Sequence, residues 1–247
     1  MAPSPADAPV LPPVDQPVPA ALLDPARLDG PGTHVATMPF AFLVATGQLP
    51  PEAAAALRQD FPRYRGAGFF PWDPADCGPA VNRLVAELTA GDFAGALGSR
   101  LGLPDLARHP TLVTLCRSLN RRHGTIHTDS RSKVATALVY LEAGWPAGAG
   151  GCLRFLYRMD DIDDCVVPEI APVYGTVAAF LRADNSFHGH LPHEGERRVI
   201  QVAWLTSEEE KLRKTRRGRF SRLLKKLLGN FDRHLGAGRS RNAAHRD

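Results

Sequence analysis

The apolar positions follow a helical period in the first half of the chain. They recur three and four residues apart, as on one face of an α-helix, at Val81, Leu84, Val85 and Leu88. The segment that follows, through Leu97–Leu101, predicts a second helix. Another helix is predicted to begin near Pro51, where two prolines precede a run of helix-forming residues.

The pattern changes to strands from about residue 111. Short apolar or alternating segments follow one another between turn-forming residues: "TLVTLCRSL", "VATALVYL", "GCLRFLYR", "TVAAFLRA" and "RVIQVAWL". An earlier segment, residues 33–49, also looks like a strand, with Val35 and Phe40–Val44 as buried candidates. The pattern therefore predicts helices packed on one face of a compact antiparallel β domain, either a sandwich or a barrel.

Composition narrows the class of protein. The 247 residues are 44% hydrophobic, which is enough for a substantial core, and the four cysteines form no C-x-x-C pair. A disulfide scaffold or a zinc ribbon is therefore disfavoured, and a reducing compartment fits better. The first 20 residues contain seven prolines and lack the features of a signal peptide, so we predict a disordered segment over residues 1–22 and a cytoplasmic protein.

Charge separates the end of the chain from its body. Residues 211–247 carry 13 Lys/Arg and two acidic residues, a net charge of +11, whereas the other 210 residues have a net charge of −7. Apolar residues recur at helical spacing from Phe220 to Phe231, which predicts a basic amphipathic helix. This helix could pack on the domain, bind an anionic membrane surface through residues 213–231, or bind nucleic acid. Packing or a peripheral contact at the inner membrane face is preferred, because no aromatic stacking platform accompanies the basic residues.

Candidate chemistry begins with an H-x-D motif. His127 and Asp129 lie two residues apart in a segment that looks extended, so their side chains point to the same face and can bind one metal ion together. Two histidines and one carboxylate form the facial triad of non-haem Fe(II) oxygenases. A third ligand must come from elsewhere, and "NSFHGHLPH" offers three histidines: His188, His190 and His193.

A set of motifs between about residues 123 and 205 resembles one known family. In order, the motifs are "HTD", "ATALVYL", "GGCLRF", "PVYGTVAAF", "NSFHGH" and "GERRVIQVAW". Together they resemble the prolyl-4-hydroxylase-like branch of the Fe(II)- and 2-oxoglutarate-dependent dioxygenases. The resemblance implies an α+β fold: a double-stranded β-helix, or jelly-roll, core with N-terminal helices on one face. The predicted domain spans residues 23–208, and the basic helix and tail span residues 209–247.

The resemblance also implies the ligands. His127, Asp129 and His188 would hold Fe(II) as the catalytic triad, and His190 and His193 would lie at the rim. His190 remains the alternative ligand if the strand register shifts by two residues.

The resemblance further implies a basic residue for the distal carboxylate of 2-oxoglutarate. Arg197 and Arg198 point to opposite faces of one strand, and Arg198 is preferred because it shares a face with Ile200, Val202 and Trp204. Thr136 and Tyr140 are further candidate contacts for 2-oxoglutarate. The family often has a Ser or Thr two residues after the Arg, whereas this chain has Ile200.

The implied activity is hydroxylation of an unactivated C–H bond. Fe(II), 2-oxoglutarate and O₂ are the expected cofactors and co-substrates, with ascorbate as a further candidate, and succinate and CO₂ are the expected by-products. The substrate class is an amino acid, a peptide or another small metabolite. The alternative is a non-catalytic jelly-roll binding module whose basic tail contacts a membrane surface or a partner.

Overall fold

A computed structural model describes residue 19 and residues 21–216. The α-helices are α1 (Ala54–Asp60), α2 (Pro79–Thr89) and α3 (Gly91–Leu101). The strands are β1 (Thr33–Ala36), β2 (Phe42–Ala45), β3 (Phe69–Pro71), β4 (Thr111–Leu119), β5 (Lys133–Tyr140), β6 (Arg154–Leu156), β7 (Val177–Leu181), β8 (Phe187–Gly189) and β9 (Gly195–Leu205). Short 3₁₀ turns occupy Pro25–Asp29, Pro51–Ala53, Pro74–Asp76 and Leu106–Arg108.

The predicted helices form where the sequence indicates them. Helix α2 begins with Pro79 in its first turn, where the missing N–H costs no hydrogen bond, and its apolar stripe is buried. Helix α3 ends at Gly102, whose φ of 81° is the left-handed conformation that glycine adopts without strain. The prediction of two successive amphipathic helices is confirmed.

Two facing antiparallel sheets form the β domain. The larger has seven strands in the order β1-β2-β7-β5-β9-β4-β3, and the smaller pairs β6 with β8. Single bridges extend the smaller sheet on both sides, from His127 to His188 and from Leu153 to Ile170. This arrangement is the expected double-stranded β-helix, and the predicted fold class is confirmed.

The central strands of the larger sheet are buried on both faces. One face packs with α2 and α3 into a core that includes Val139, Ile200 and Trp204. The other face points into the barrel, where Phe42, Phe155 and Phe180 form an aromatic cluster between the two sheets. We call these the helix face and the barrel face of the sheet.

Two details of the sequence prediction are corrected. Residues 33–49 contain a hairpin of β1 and β2, and Val35 lies on the exposed edge strand with 42% of its surface accessible, so its expected burial is wrong. Leu22, assigned to the disordered segment, is buried in the helix-side core and donates its backbone N–H to Glu87. The expected disorder of residues 1–18 lies outside the described residues.

A further helix starts after β9. Residues 208–216 are helical, and the Ser207 hydroxyl accepts a hydrogen bond from the backbone N–H of Glu210 at 3.3 Å, as an N-cap does. We call this segment the C-terminal helix. The apolar stripe from residue 220 and most of the membrane-binding segment proposed from sequence lie outside the described residues. Within the described range, no helix is both long and apolar enough to cross a bilayer.

Candidate metal centre

The two triad histidines face each other across a strand-like bridge. The backbone N–H of His127 donates to the carbonyl of His188, and the N–H of His188 donates back to the carbonyl of His127, both at 3.0 Å. Directly opposite residues of an antiparallel pair project to the same side, so the two imidazoles meet with ring centroids 4.4 Å apart. The fold therefore joins residues 61 positions apart into one site.

Backbone carbonyls fix the tautomer of both histidines. His127 Nδ1 lies 2.8 Å from the Thr125 carbonyl, and His188 Nδ1 lies 2.9 Å from the Ser186 carbonyl. A carbonyl only accepts, so each Nδ1 carries the proton and each Nε2 keeps a free lone pair. This is the usual way in which proteins orient a metal-ligating histidine.

Asp129 completes the group. One ligand atom from each of His127, Asp129 and His188 lies within 4.8 Å of the others, and no second such cluster occurs among the described residues. The Thr136 hydroxyl donates to Asp129 Oδ2 at 2.5 Å, and Lys133 Nζ donates to Oδ1 at 2.6 Å. Both carboxylate oxygens are thus held in place.

The protonation states suit a metal ligand set. Burial alone would raise the pKa of Asp129, but the nearby Lys133, His188 and Thr136 outweigh it and hold that pKa well below its usual range. Burial lowers the pKa of His188 to about 4, against the opposing effect of Asp129. A charged carboxylate and neutral imidazoles are the forms that bind a divalent ion near neutral pH. The donor set therefore fits Fe(II).

The other histidines of the same segment lie outside this group. His190 Nδ1 lies 2.8 Å from the Leu191 carbonyl, and burial lowers the pKa of its imidazole to about 4. The His193 ring packs on Trp145, with centroids 4.7 Å apart. His188 is the residue that pairs with His127, so the strand has the expected register. The alternative register, shifted by two residues, would have placed His190 opposite His127.

The two arginines of β9 point to opposite faces, as expected, but the assignment of faces is wrong. Val199 lies opposite Tyr140 on the barrel face, and Ile200 lies opposite Val139 on the helix face. Arg197 therefore projects into the barrel, and Arg198 projects away from it. The apolar neighbours used to choose Arg198 belong to the helix-side core.

Arg197 is a buried cation with no counter-ion among the described residues. It is 2% exposed, its Nε donates to the Gly151 carbonyl at 2.7 Å, and its guanidinium carbon lies 5.2 Å from the centre of the Tyr140 ring. No carboxylate lies within ion-pair distance of Arg197 in the part of the chain that the structure describes. A buried charge of this kind is costly unless an anion pairs with it.

Arg198 has the opposite surroundings. Its guanidinium bonds both carboxylate oxygens of Glu142, at 3.0 and 3.1 Å, and reaches Glu196 at 2.6 Å. Its backbone N–H also donates to Glu142. Both terminal nitrogens of Arg198 are paired with carboxylates, whereas its Nε is buried without a hydrogen-bond partner among the described residues. The ion pairs connect β9 to the end of β5.

The remaining candidates are placed as follows. Tyr140 lies beside Arg197, with its hydroxyl 3.5 Å from the guanidinium, and burial raises the pKa of this phenol to about 12. Thr136 bonds the Asp129 carboxylate instead of standing beside Arg197. Sequence reasoning missed Lys133 as a partner of Asp129, because the segment between them is not a helix and a spacing of four residues does not by itself predict a contact there.

One protein-family model matches the segment that carries the candidate metal centre. The family model described as 2OG-Fe(II) oxygenase superfamily matches residues 114–206, which contain the whole triad and both arginines. No curated protein gave a match to the chain.

Several solved structures are similar to the chain. A prolyl-4-hydroxylase of Pseudomonas putida has 20% identity and a TM-score of 0.48, over 73% of this chain and 88% of that one. A prolyl hydroxylase of Trichoplax adhaerens, in complex with a peptide of hypoxia inducible factor, has 16% identity and a TM-score of 0.46, over 76% and 90%. An oxidoreductase of the 2OG-Fe(II) oxygenase family from Burkholderia pseudomallei has 16% identity and a TM-score of 0.44, over 73% and 87%.

The family's cofactors agree with the geometry of the triad. Members of this superfamily use Fe(II), 2-oxoglutarate and O₂, and the matched segment carries the His-Asp-His group described above. Residues 114–206 are thus similar to the 2OG-Fe(II) oxygenase superfamily, and the similarity includes the whole His-Asp-His group.

Proposed function

We propose that the protein is an Fe(II)- and 2-oxoglutarate-dependent dioxygenase that hydroxylates an unactivated C–H bond. The substrate is an amino acid, a peptide or another small metabolite, and the by-products are succinate and CO₂. The observation that carries this proposal is the convergence of His127, Asp129 and His188 with both imidazole tautomers fixed for binding through Nε2.

The protein contributes orientation at the metal. His127 and His188 would each supply Nε2, and Asp129 would supply a carboxylate oxygen. Bound Fe(II) supplies the coupling of O₂ reduction to 2-oxoglutarate decarboxylation and C–H hydroxylation. Thr136 and Lys133 hold the Asp129 carboxylate, so that the ligand does not rotate away from the two histidines.

Arg197 is the proposed partner of the distal carboxylate of 2-oxoglutarate. It replaces Arg198 in this role because it faces the barrel and has no carboxylate partner among the described residues. A guanidinium matches a carboxylate geometrically and supplies two parallel donors. Tyr140 stands beside it and can donate its hydroxyl proton to the same carboxylate, since its raised pKa keeps the phenol protonated.

The experiment measures succinate. Purified protein is loaded with Fe(II), 2-oxoglutarate and ascorbate without oxygen, exposed to air, and compared with the His127→Ala variant. We expect iron-dependent succinate release that the variant lacks, and a mass-spectrometric substrate screen then identifies the product that gains one oxygen atom. Succinate no higher than in His127→Ala, across the screen, would contradict the proposal and favour a non-catalytic binding module.

A further inference from the structure

Several cations surround the outer side of the candidate metal centre. Lys133 Nζ bonds Asp129 Oδ1, and Arg182 Nε donates to the backbone carbonyl of Asp129 at 3.3 Å. Lys214, on the C-terminal helix, donates to the hydroxyl of Ser130, the residue after the ligand, at 3.1 Å. Three positive side chains from three different elements thus converge on the segment that carries Asp129.

The acidic groups near these cations do not balance them. Arg182 pairs with Asp184, and Arg213 pairs with Glu210. Lys133 has only the metal ligand Asp129 as its ion-pair partner, and Lys214 has none among the described residues. Burial, and then the charges of Lys133 and Arg213, lower the pKa of Lys214, so the two lysines already act on each other.

A bound divalent ion increases this excess of positive charge. The single negative charge of Asp129 would then be shared between the ion and Lys133. The charges of the ion and the two lysines exceed those of Asp129 and 2-oxoglutarate together. Lys133 is only 14% exposed, so water alone does not compensate for its weakened pairing with Asp129. An anion beside Lys133 is therefore favoured.

The lysines also lie on the accessible side of the site. His127 and Ser130 are exposed, whereas Asp129 and His188 are buried, so solvent reaches the triad past the residue that Lys214 contacts. The opposite end of the barrel is occupied by Arg197 and Tyr140, four strand positions along β5 from Thr136, or about 13 Å. The exposed side of the triad, at His127, therefore lies in the same segment as the residues that Lys133 and Lys214 contact.

We propose that Lys133 and Lys214 form an anion-binding pair at the entrance to the metal centre, and that the substrate carries a carboxylate or a phosphate group held by this pair. The inference rests on the proposed function and narrows its substrate class to anionic molecules. Lysine suits this role as a compact charge that either oxyanion can approach.

The test uses matched probes on the full chain, loaded with Mn(II) and 2-oxoglutarate under argon so that no turnover occurs. One set pairs N-acetyl amino acids with their amides, and a second pairs N-acetyl-O-phosphoserine amide with N-acetylserine amide. Binding is measured by calorimetry. We expect at least one anionic member to bind about tenfold more tightly than its neutral partner.

The variants separate charge recognition from folding. Lys214→Met should reduce the anionic-over-neutral ratio severalfold, and Lys214→Glu should abolish or invert it. Lys211→Met is the matched control: this lysine lies on the same helix and makes only a 3.8 Å ion pair with Glu208, so its loss should leave the ratio unchanged. A structural defect would weaken both members of a probe pair equally and leave the ratio as it was.

Each outcome decides the inference. A carboxylate preference or a phosphate preference supports it and says which oxyanion the pair holds. No probe favouring its charged member, or equal ratios in Lys214→Met and Lys211→Met, overturns it. The proposed function fails by a different result, the absence of iron-dependent succinate, so the two failures are distinguishable.

Discussion

The two faces of β9 place adjacent arginines in opposite electrostatic situations. On the barrel face, Arg197 is buried beside Tyr140, with a backbone carbonyl and no carboxylate partner among the described residues. On the helix face, Arg198 is buried with Glu142 and Glu196 around it. The difference shows that adjacent arginines can be told apart by their charge partners: the neutralised Arg198 fits a role in the fold, and the unneutralised Arg197 is the one proposed to bind a ligand.

The largest expected effect on ligand binding is on the barrel face. Arg197→Met should weaken 2-oxoglutarate binding about 100-fold, because it removes charge-assisted hydrogen bonds to the distal carboxylate. Anaerobic titration of the Fe(II)-loaded protein with 2-oxoglutarate measures this. Iron binding by the triad should remain, and Arg198→Met provides the comparison. If both variants bind 2-oxoglutarate equally well, the contrast between the two faces does not extend to function.

The next effect is on the helix face. Arg198→Met should lower the free energy of unfolding by about 3–5 kcal/mol, because it leaves the buried Glu142 carboxylate unpaired. Urea denaturation of the metal-free protein measures the change. Adding Glu142→Gln should restore part of the loss, since the amide keeps an acceptor for the Arg198 backbone N–H without an unpaired charge. An unchanged midpoint in Arg198→Met would mean that the pair contributes nothing to stability.

The smallest expected effect is a dependence of stability on pH, which arises from two histidines on the barrel side of the molecule. Burial lowers the pKa of His188 and of His190 to about 4, and Arg197 adds to the effect on His190. Both folded-state pKa values lie below the ordinary value of 6.5, so the unfolded chain binds protons that the folded one does not. The stability that the two neutral imidazoles contribute to the metal-free protein is therefore fully present above about pH 6.5 and is lost as the pH falls towards 4.

The measurement is a series of denaturation curves between about pH 7.5 and about pH 4.5, at intervals of about half a pH unit. His190→Gln should flatten the decline, because one of the two titrating imidazoles is gone while His188 remains. A decline of the same steepness in the variant would show that His190 does not contribute to it.

Much of the fold follows from local patterns in the sequence. Strand β4 has the bounds that its apolar segment indicates, and α2 buries the stripe that its spacing predicts. The H-x-D pair could be placed because strand alternation fixes which side chains share a face. The meeting of His127 with His188 required the family resemblance, since no local pattern joins segments so far apart.

The choice between the arginines could not be made from the sequence. Alternation correctly separated Arg197 from Arg198, but β9 is a central strand with apolar residues on both faces, so hydrophobic neighbours do not say which face lines the barrel. The contacts of Thr136 and Lys133 with Asp129 could not be predicted from the sequence either. They depend on how residues 130–132 turn before β5 begins, which propensity does not determine.

The reciprocal backbone bridge between His127 and His188 has a consequence for how the sequence can vary. Because the bridge aligns both imidazoles, inserting or deleting one residue next to either histidine would turn a ligand to the wrong side of its strand. The segments 143–149 and 157–164 contain no metal ligand and connect elements already paired elsewhere, so changes in their length should be tolerated. Under the proposed function, these connections are where the chain could vary its substrate contacts while His127 and His188 stay aligned.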